Sequence, residues 1–165
     1  MHSFDRTTLE TYLAQHVKGF TTLDSIEKFS DGQSNPTYKL VSRDRAYVLR
    51  AKPPGKLLKS AHAVDREYRV MRALAGTDVP VPRVFHLSGE DTPIGPQFMV
   101  MEMVNGRIFW DPALPEVPWD QRGMIYDAMN RTLATLHEID PTSCLLYTSD
   151  AADESSRGGG GGGGG

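Results

Sequence analysis

The chain has 165 residues, a net charge of −3, 24% charged residues and a single cysteine, Cys144. Its length suits one globular unit, and so small a charge leaves no electrostatic footprint for nucleic acid. A lone cysteine excludes a disulfide framework and a Cys-based zinc site.

The N-terminal run from Met1 to Glu10 has no apolar core of the kind a signal peptide needs. No later stretch approaches the roughly 20 apolar residues of a spanning helix, so a cytoplasmic protein without membrane contact is expected. Thr7 and Glu10 have capping-box spacing, which predicts a helix opening at Thr7 with Leu9, Leu13 and Val17 as its apolar stripe. After Gly19, three strands are expected, over Leu23 to Ser30, Pro36 to Ser42 and Ala46 to Ala51. The turn Arg43-Asp44-Arg45 joins the last two as an antiparallel hairpin. The small, polar run Asp31-Gly32-Gln33-Ser34-Asn35 joins the first two and can expose backbone amides.

Pro53-Pro54-Gly55 breaks the strand pattern. A helical stretch follows from Lys56 to Ala75, in two pieces with Ser60 capping the second and Gly76 as its stop. Strands are expected at Arg83 to Leu87 and Gln97 to Val104. A Pro-rich connection, Asp111 to Pro118, then leads to a helix from Trp119 to His137, on which Ile125, Met129, Leu133 and Leu136 recur at helical spacing. Antiparallel neighbours with one intervening helix argue for an α+β fold.

On the third strand Tyr47 and Leu49 face one side, while Val48, Arg50 and Lys52 face the other. Glu67 falls on the buried stripe of the following helix with Val64 and Met71. A carboxylate on the core side requires a partner, because an unpaired buried charge costs several kcal/mol, and Arg50 is positioned to be that partner. The run Gln97 to Val104 reads as a core strand ending at Asn105-Gly106, just before the pattern turns from sheet to helix; such a joint is a common place for a ligand pocket. His62, His86 and His137 are too scattered to indicate a metal site. Met99, Met101 and Met103 alternate as strand packing requires, and Trp110 and Trp119 flank the Pro-rich segment, where they could cover a substrate entrance but are expected to pack between lobes.

Tyr47-Val48-Leu49-Arg50, His62-x-x-x-Arg66-Glu67-Tyr68, Met99 to Gly106, and Leu133-Ala134-x-Leu136-His137-x-Ile139-Asp140, taken in this order, resemble the aminoglycoside phosphotransferase family. These are small-molecule kinases, and the run from Leu49 to Leu74 is similar to the branch associated with acyl-CoA dehydrogenases. The resemblance implies a protein-kinase-like N-lobe over residues 1–104, a five-stranded antiparallel sheet with one main helix, followed by the start of a helical C-lobe over 105–143. It implies ATP as cofactor: Ser34 and Asn35 in the loop over the phosphates, Arg50 on the α- and β-phosphates and paired with Glu67, the Glu102 carbonyl and Val104 amide on adenine, and Met101 lining its pocket. Protein kinases carry lysine where Arg50 stands, and arginine's planar fork alters the geometry. The acceptor implied is a small-molecule hydroxyl, on a hydroxylated acyl compound or on an aminoglycoside or amino-alcohol. A nucleotide-binding, pseudokinase-like module is the non-catalytic alternative.

The family's His-Gly-Asp…Asn loop, which supplies the base and a magnesium ligand, does not occur in the sequence. Without it in-line transfer loses most of its positioning, so no kinase activity is expected of this chain alone. The run Cys144 to Glu154 resembles one reading frame of a sequencing-library adapter and precedes eight glycines. Residues 144–165 are therefore expected to be a non-native tail; setting them aside leaves a body of charge −1 without cysteine.

Overall fold

A computed structural model describes residues 5–30, 35–43, 45–53, 63–90 and 92–142. Ser34, His62, the helical piece expected from Lys56 with its Ser60 cap, and the tail from 144 onward lie outside the described residues. The elements run α1 (Arg6–His16), β1 (Ser25–Lys28), β2 (Thr37–Ser42), β3 (Arg45–Ala51), α2 (Val64–Leu74), β4 (Val84–Leu87), β5 (Phe98–Glu102) and α3 (Trp119–His137). They fall into two units, Met1–Ala75 with Val81–Arg107, and Gly76–Pro80 with Ile108–Gly165.

In the first unit α1 opens one residue earlier than its sequence indicates, and its cap is Asp5 rather than Thr7. The Asp5 carboxylate accepts from the Thr8 amide at 3.2 Å and from the Thr8 hydroxyl, and these bonds, the hydroxyl's foremost, hold its acid below the ordinary range. Thr7 is then already inside the first turn, where its hydroxyl cannot serve as an N-cap. The expected stripe is observed, with Leu9, Leu13 and Val17 all buried. Arg6 donates to the carbonyls of Leu23 and Asp24, tying the start of α1 to the approach to β1.

The sheet has the order β1-β2-β3-β5-β4, antiparallel throughout. Pleating divides it into two unlike faces. Tyr38, Leu40, Tyr47, Leu49, Ala51, Phe98 and Val100 join Leu9, Leu13, Val17, Phe20 and Leu23 in one apolar layer beneath α1. Thr37, Lys39, Val48, Arg50, Met99 and Met101, in register with one another, make the other face. There α2 packs over β4 and β5, where Met99 is fully buried.

A bulge interrupts β4, because Val84 pairs with Met101 but His86 pairs with Val100, so Phe85 and His86 together oppose one residue. Both side chains thereby reach the α1 layer. Phe85 lies edge-on to Tyr47, and His86 Nε2 lies 3.1 Å from the Tyr12 hydroxyl. The His16 ring stacks on Tyr12 and stands 5.1 Å from the His86 ring. Burial, and then the neighbouring His16 charge, lower the pKa of His86.

In the second unit α3 matches its expected span, yet none of its residues is buried. Met129 is 61% exposed and Leu133 51%. The preceding segment is fixed locally: Arg122 donates to the Val117 carbonyl at 2.9 Å, and Tyr126 donates to the Pro112 carbonyl. Trp110 and Trp119 are exposed rather than packed, and the Arg122 guanidinium lies over the Trp119 ring. Among the described residues no helix is long and apolar enough to cross a membrane.

Candidate functional site

The open face of the sheet carries a connected polar cluster. Strand alternation points Arg50 away from the apolar layer, and the β2–β3 register sets Thr37 directly opposite it. The helix α2 supplies Glu67 from above: Arg50 Nε donates to Oε2 at 2.6 Å and Nη2 donates to Oε1 at 3.2 Å. This is the paired geometry in which a guanidinium binds a carboxylate most strongly. Arg50 Nη1 donates to Thr37 Oγ1 at 3.2 Å, and that hydroxyl donates to the Asn35 carbonyl at 3.0 Å. The Asn35 side chain in turn donates Nδ2 to Glu67 Oε1 at 3.2 Å. Four residues, Asn35, Thr37 of β2, Arg50 of β3 and Glu67 of α2, thus close one circuit.

The members differ in access to water. Asn35 is 3% exposed, whereas the side chains of Arg50 and Glu67 retain 29% and 36% of their surface. A guanidinium has five N–H donors. Glu67 takes the Nε donor and one on Nη2, and Thr37 takes one on Nη1, which among the described residues leaves one N–H on each terminal nitrogen for an anion reaching the half-open side. Lys52 adds a second cation beyond the end of β3; its Nζ stands 3.9 Å from Asp65, whose carboxylate also accepts from Arg69 at 3.1 Å. The site therefore favours phosphate or carboxylate.

Arg50, Glu67 and Asn35, each marked in the sequence, are brought together here, while Ser34 lies outside the described residues. Met101 sits on the same face, paired with Val48 and half-buried. Glu102, at the end of β5, bonds Arg83 twice: its amide donates to the Arg83 carbonyl at 2.8 Å and its carboxylate accepts from the Arg83 amide at 3.3 Å. Val104 lies past the end of β5, exposed and without regular structure around it. Sequence reading missed Thr37, although a tight hairpin at Arg43 already implies the register that sets Thr37 against Arg50. A cavity of about 250 Å³ lined by Thr7, Thr8, Thr11, Tyr12, Gln15 and Pro93 lies on the α1 side of the sheet, apart from this cluster. No group of three or more His, Cys, Asp or Glu suited to a metal ion occurs among the described residues.

A family model described as the phosphotransferase enzyme family, APH, matches residues 25–155. The chain is 49% identical over 147 residues to the probable acyl-CoA dehydrogenase IBR3 of Arabidopsis thaliana, covering 84% of this chain and 18% of that protein. It is 43% identical over 150 residues to acyl-CoA dehydrogenase family member 11 of Homo sapiens, covering 88% of this chain and 19% of that protein. The chain thus spans less than a fifth of the length of these relatives. Among solved structures it is similar to a Ralstonia eutropha JMP134 protein provisionally named an aminoglycoside phosphotransferase, with 46% identity and a TM-score of 0.75 over 88% of this chain and 41% of that one. A thermostable mutant of the aminoglycoside phosphotransferase APH(4)-Ia shares the fold, with a TM-score of 0.55 at 18% identity over 82% of this chain and 40% of that one. The five-stranded antiparallel sheet with its helices is therefore the kinase-like fold of these enzymes.

Proposed function

Since the chain belongs to the phosphotransferase enzyme family, we propose that it forms the nucleotide-binding part of an ATP-dependent kinase that transfers the γ-phosphate to a hydroxyl of a small molecule. The observation that carries this reading is the Arg50–Glu67 pair, held on two further sides and still offering N–H donors to an anion. In the proposed complex Arg50 binds the α- and β-phosphates, neutralising charge on the part of ATP that is not transferred. Backbone amides near Ser34 and Asn35 cover the phosphates. The Asn35 side chain has a different task, since it already holds Glu67. The Glu102 carbonyl and Val104 amide take the adenine edge against Met101.

ATP fits the residues present, and when bound it supplies the phosphoryl group; the chain's own part is to bind and orient it. Magnesium is expected with ATP, and its ligands, with the catalytic base, are assigned to parts of the parent protein other than the described residues. Turnover by this chain alone is not expected, because its sequence has no His-Gly-Asp run. Similarity to acyl-CoA dehydrogenase family proteins favours a hydroxylated acyl acceptor over an aminoglycoside or amino-alcohol, and a cytoplasmic setting is part of the same proposal.

The test is calorimetric titration of the chain with ATP and magnesium. Saturable binding that weakens at least about tenfold in Arg50→Ala, the loss of a charge-assisted hydrogen-bond pair, is the expected outcome. No measurable binding by the unmodified chain, or equal binding by Arg50→Ala, overturns the reading.

A further inference from the structure

We propose that Thr37 is a positioning residue of the nucleotide site: its hydroxyl fixes the plane of the Arg50 guanidinium and joins it to Asn35. The proposal rests on the nucleotide reading above and adds a residue to which that reading gave no role. An arginine held only by Glu67 can still pivot about the two bonds they share, since both lie on one edge of the guanidinium. The Nη1 bond to Thr37 Oγ1 is a third point on a different nitrogen, and three points define the plane. Thr37 suits the task because its own proton is committed to the Asn35 carbonyl, so an oxygen lone pair is turned to Nη1.

β-branching restricts Thr37 to few side-chain rotamers, and pairing directly against Arg50 fixes the strand-to-strand distance the bond must span. Asn35 closes the circuit from the other side, accepting from Thr37 through its carbonyl and donating to Glu67 through its amide. Asn35 is therefore bonded to both partners of Arg50. Thr37 itself need not touch the nucleotide.

The test compares three ligands, adenosine, ADP and ATP, on the 165-residue chain and its Thr37→Val and Thr37→Ser variants. Valine keeps the shape and removes the hydroxyl; serine keeps the hydroxyl. Thr37→Val is expected to weaken ATP and ADP about tenfold, the effect of one hydrogen bond to a charged group, while adenosine affinity is unchanged. Thr37→Ser is expected to bind all three like the parent chain. The Arg50 Nε–H resonance in NMR, retained in both variants, reports that the Glu67 pair persists. Equal loss for adenosine and ATP overturns the proposal, because it marks general damage to the fold. Unchanged ATP binding in Thr37→Val overturns it while leaving the nucleotide reading intact, and a loss in Thr37→Ser equal to that in Thr37→Val overturns it by placing the effect on the methyl. Absence of ATP binding by the parent chain overturns both.

Discussion

The Arg50–Glu67 pair predicts a measurable coupling between two residues 17 positions apart. Two parallel bonds to a carboxylate, at 2.6 and 3.2 Å, would each contribute about 1.5–3 kcal/mol if fully shielded. They are not shielded, since about a third of each side chain remains in water, and exposed pairs are measured at about 0.2–1 kcal/mol. A coupling of about 1 kcal/mol lies where those ranges meet. It is obtained from a double-mutant cycle of Arg50→Ala, Glu67→Ala and both together, using urea unfolding at neutral pH. Far-UV circular dichroism is the appropriate signal, because it follows the sheet and helices directly, whereas both tryptophans, Trp110 and Trp119, belong to the other unit. The coupling should shrink in high salt, as that of a half-exposed pair must. A value below about 0.3 kcal/mol, the ordinary error of additivity, would show that the pair is a geometric coincidence and that α2 is held by its other contacts.

Other expectations concern the packing. Leu13→Ala, at a fully buried position between α1 and the sheet, should cost about 2–5 kcal/mol in urea unfolding; a cost below about 1 kcal/mol would mean that α1 is not part of the folded core. Because the fold lowers the pKa of His86, the unfolded chain binds the proton more tightly. The stabilisation from neutral His86 is full above its ordinary value near about 6.5 and is lost as pH falls through the lower folded value. Stability should therefore drop as pH falls below the ordinary histidine value, and His86→Asn should flatten that part of the slope. An unchanged slope in the variant would assign it to other groups. Along α3, amides from Ile125 to Leu136 should exchange faster than those of β3 and β5, since no α3 side chain is buried; finding them the best protected would contradict this.

Much of the architecture could be read from residue patterns, because those patterns are local. Alternation in Tyr47 to Ala51 separates a buried from an open face, and helical spacing places Glu67 above Arg50, so the centre of the site was accessible without coordinates. Thr37 needed the register between two strands, a longer inference from the same hairpin. The β4 bulge was not accessible, since nothing in Val84 to Leu87 marks Phe85 and His86 as sharing one partner; that follows from pairing with β5, a dozen residues downstream. His86 looked isolated for the same reason, as its partners Tyr12 and His16 are some seventy residues away and meet it only through packing. The cap of α1 was misplaced by two residues because Asp5 and Thr7 are both competent caps, and a carboxylate with two donors on Thr8 prevails. In α3 the apolar period matches the span of the helix but does not show whether its apolar face is covered, and Met129, Leu133 and Leu136 are exposed.

The two faces of the sheet meet along β3 at single-residue spacing, with fully buried Leu49 beside half-exposed Arg50. A slip of β3 by one position against its neighbours would drive the guanidinium into the layer under α1, far from Glu67, and turn Leu49 out to solvent. The misaligned sheet would pay for an unpaired charge among leucines and aromatic rings, a penalty of several kcal/mol that a leucine or valine at position 50 would not impose. The charge proposed to receive phosphate therefore also proofreads the assembly of the sheet, and replacing it with an apolar residue would make misregistered folding easier even where it left the native fold intact.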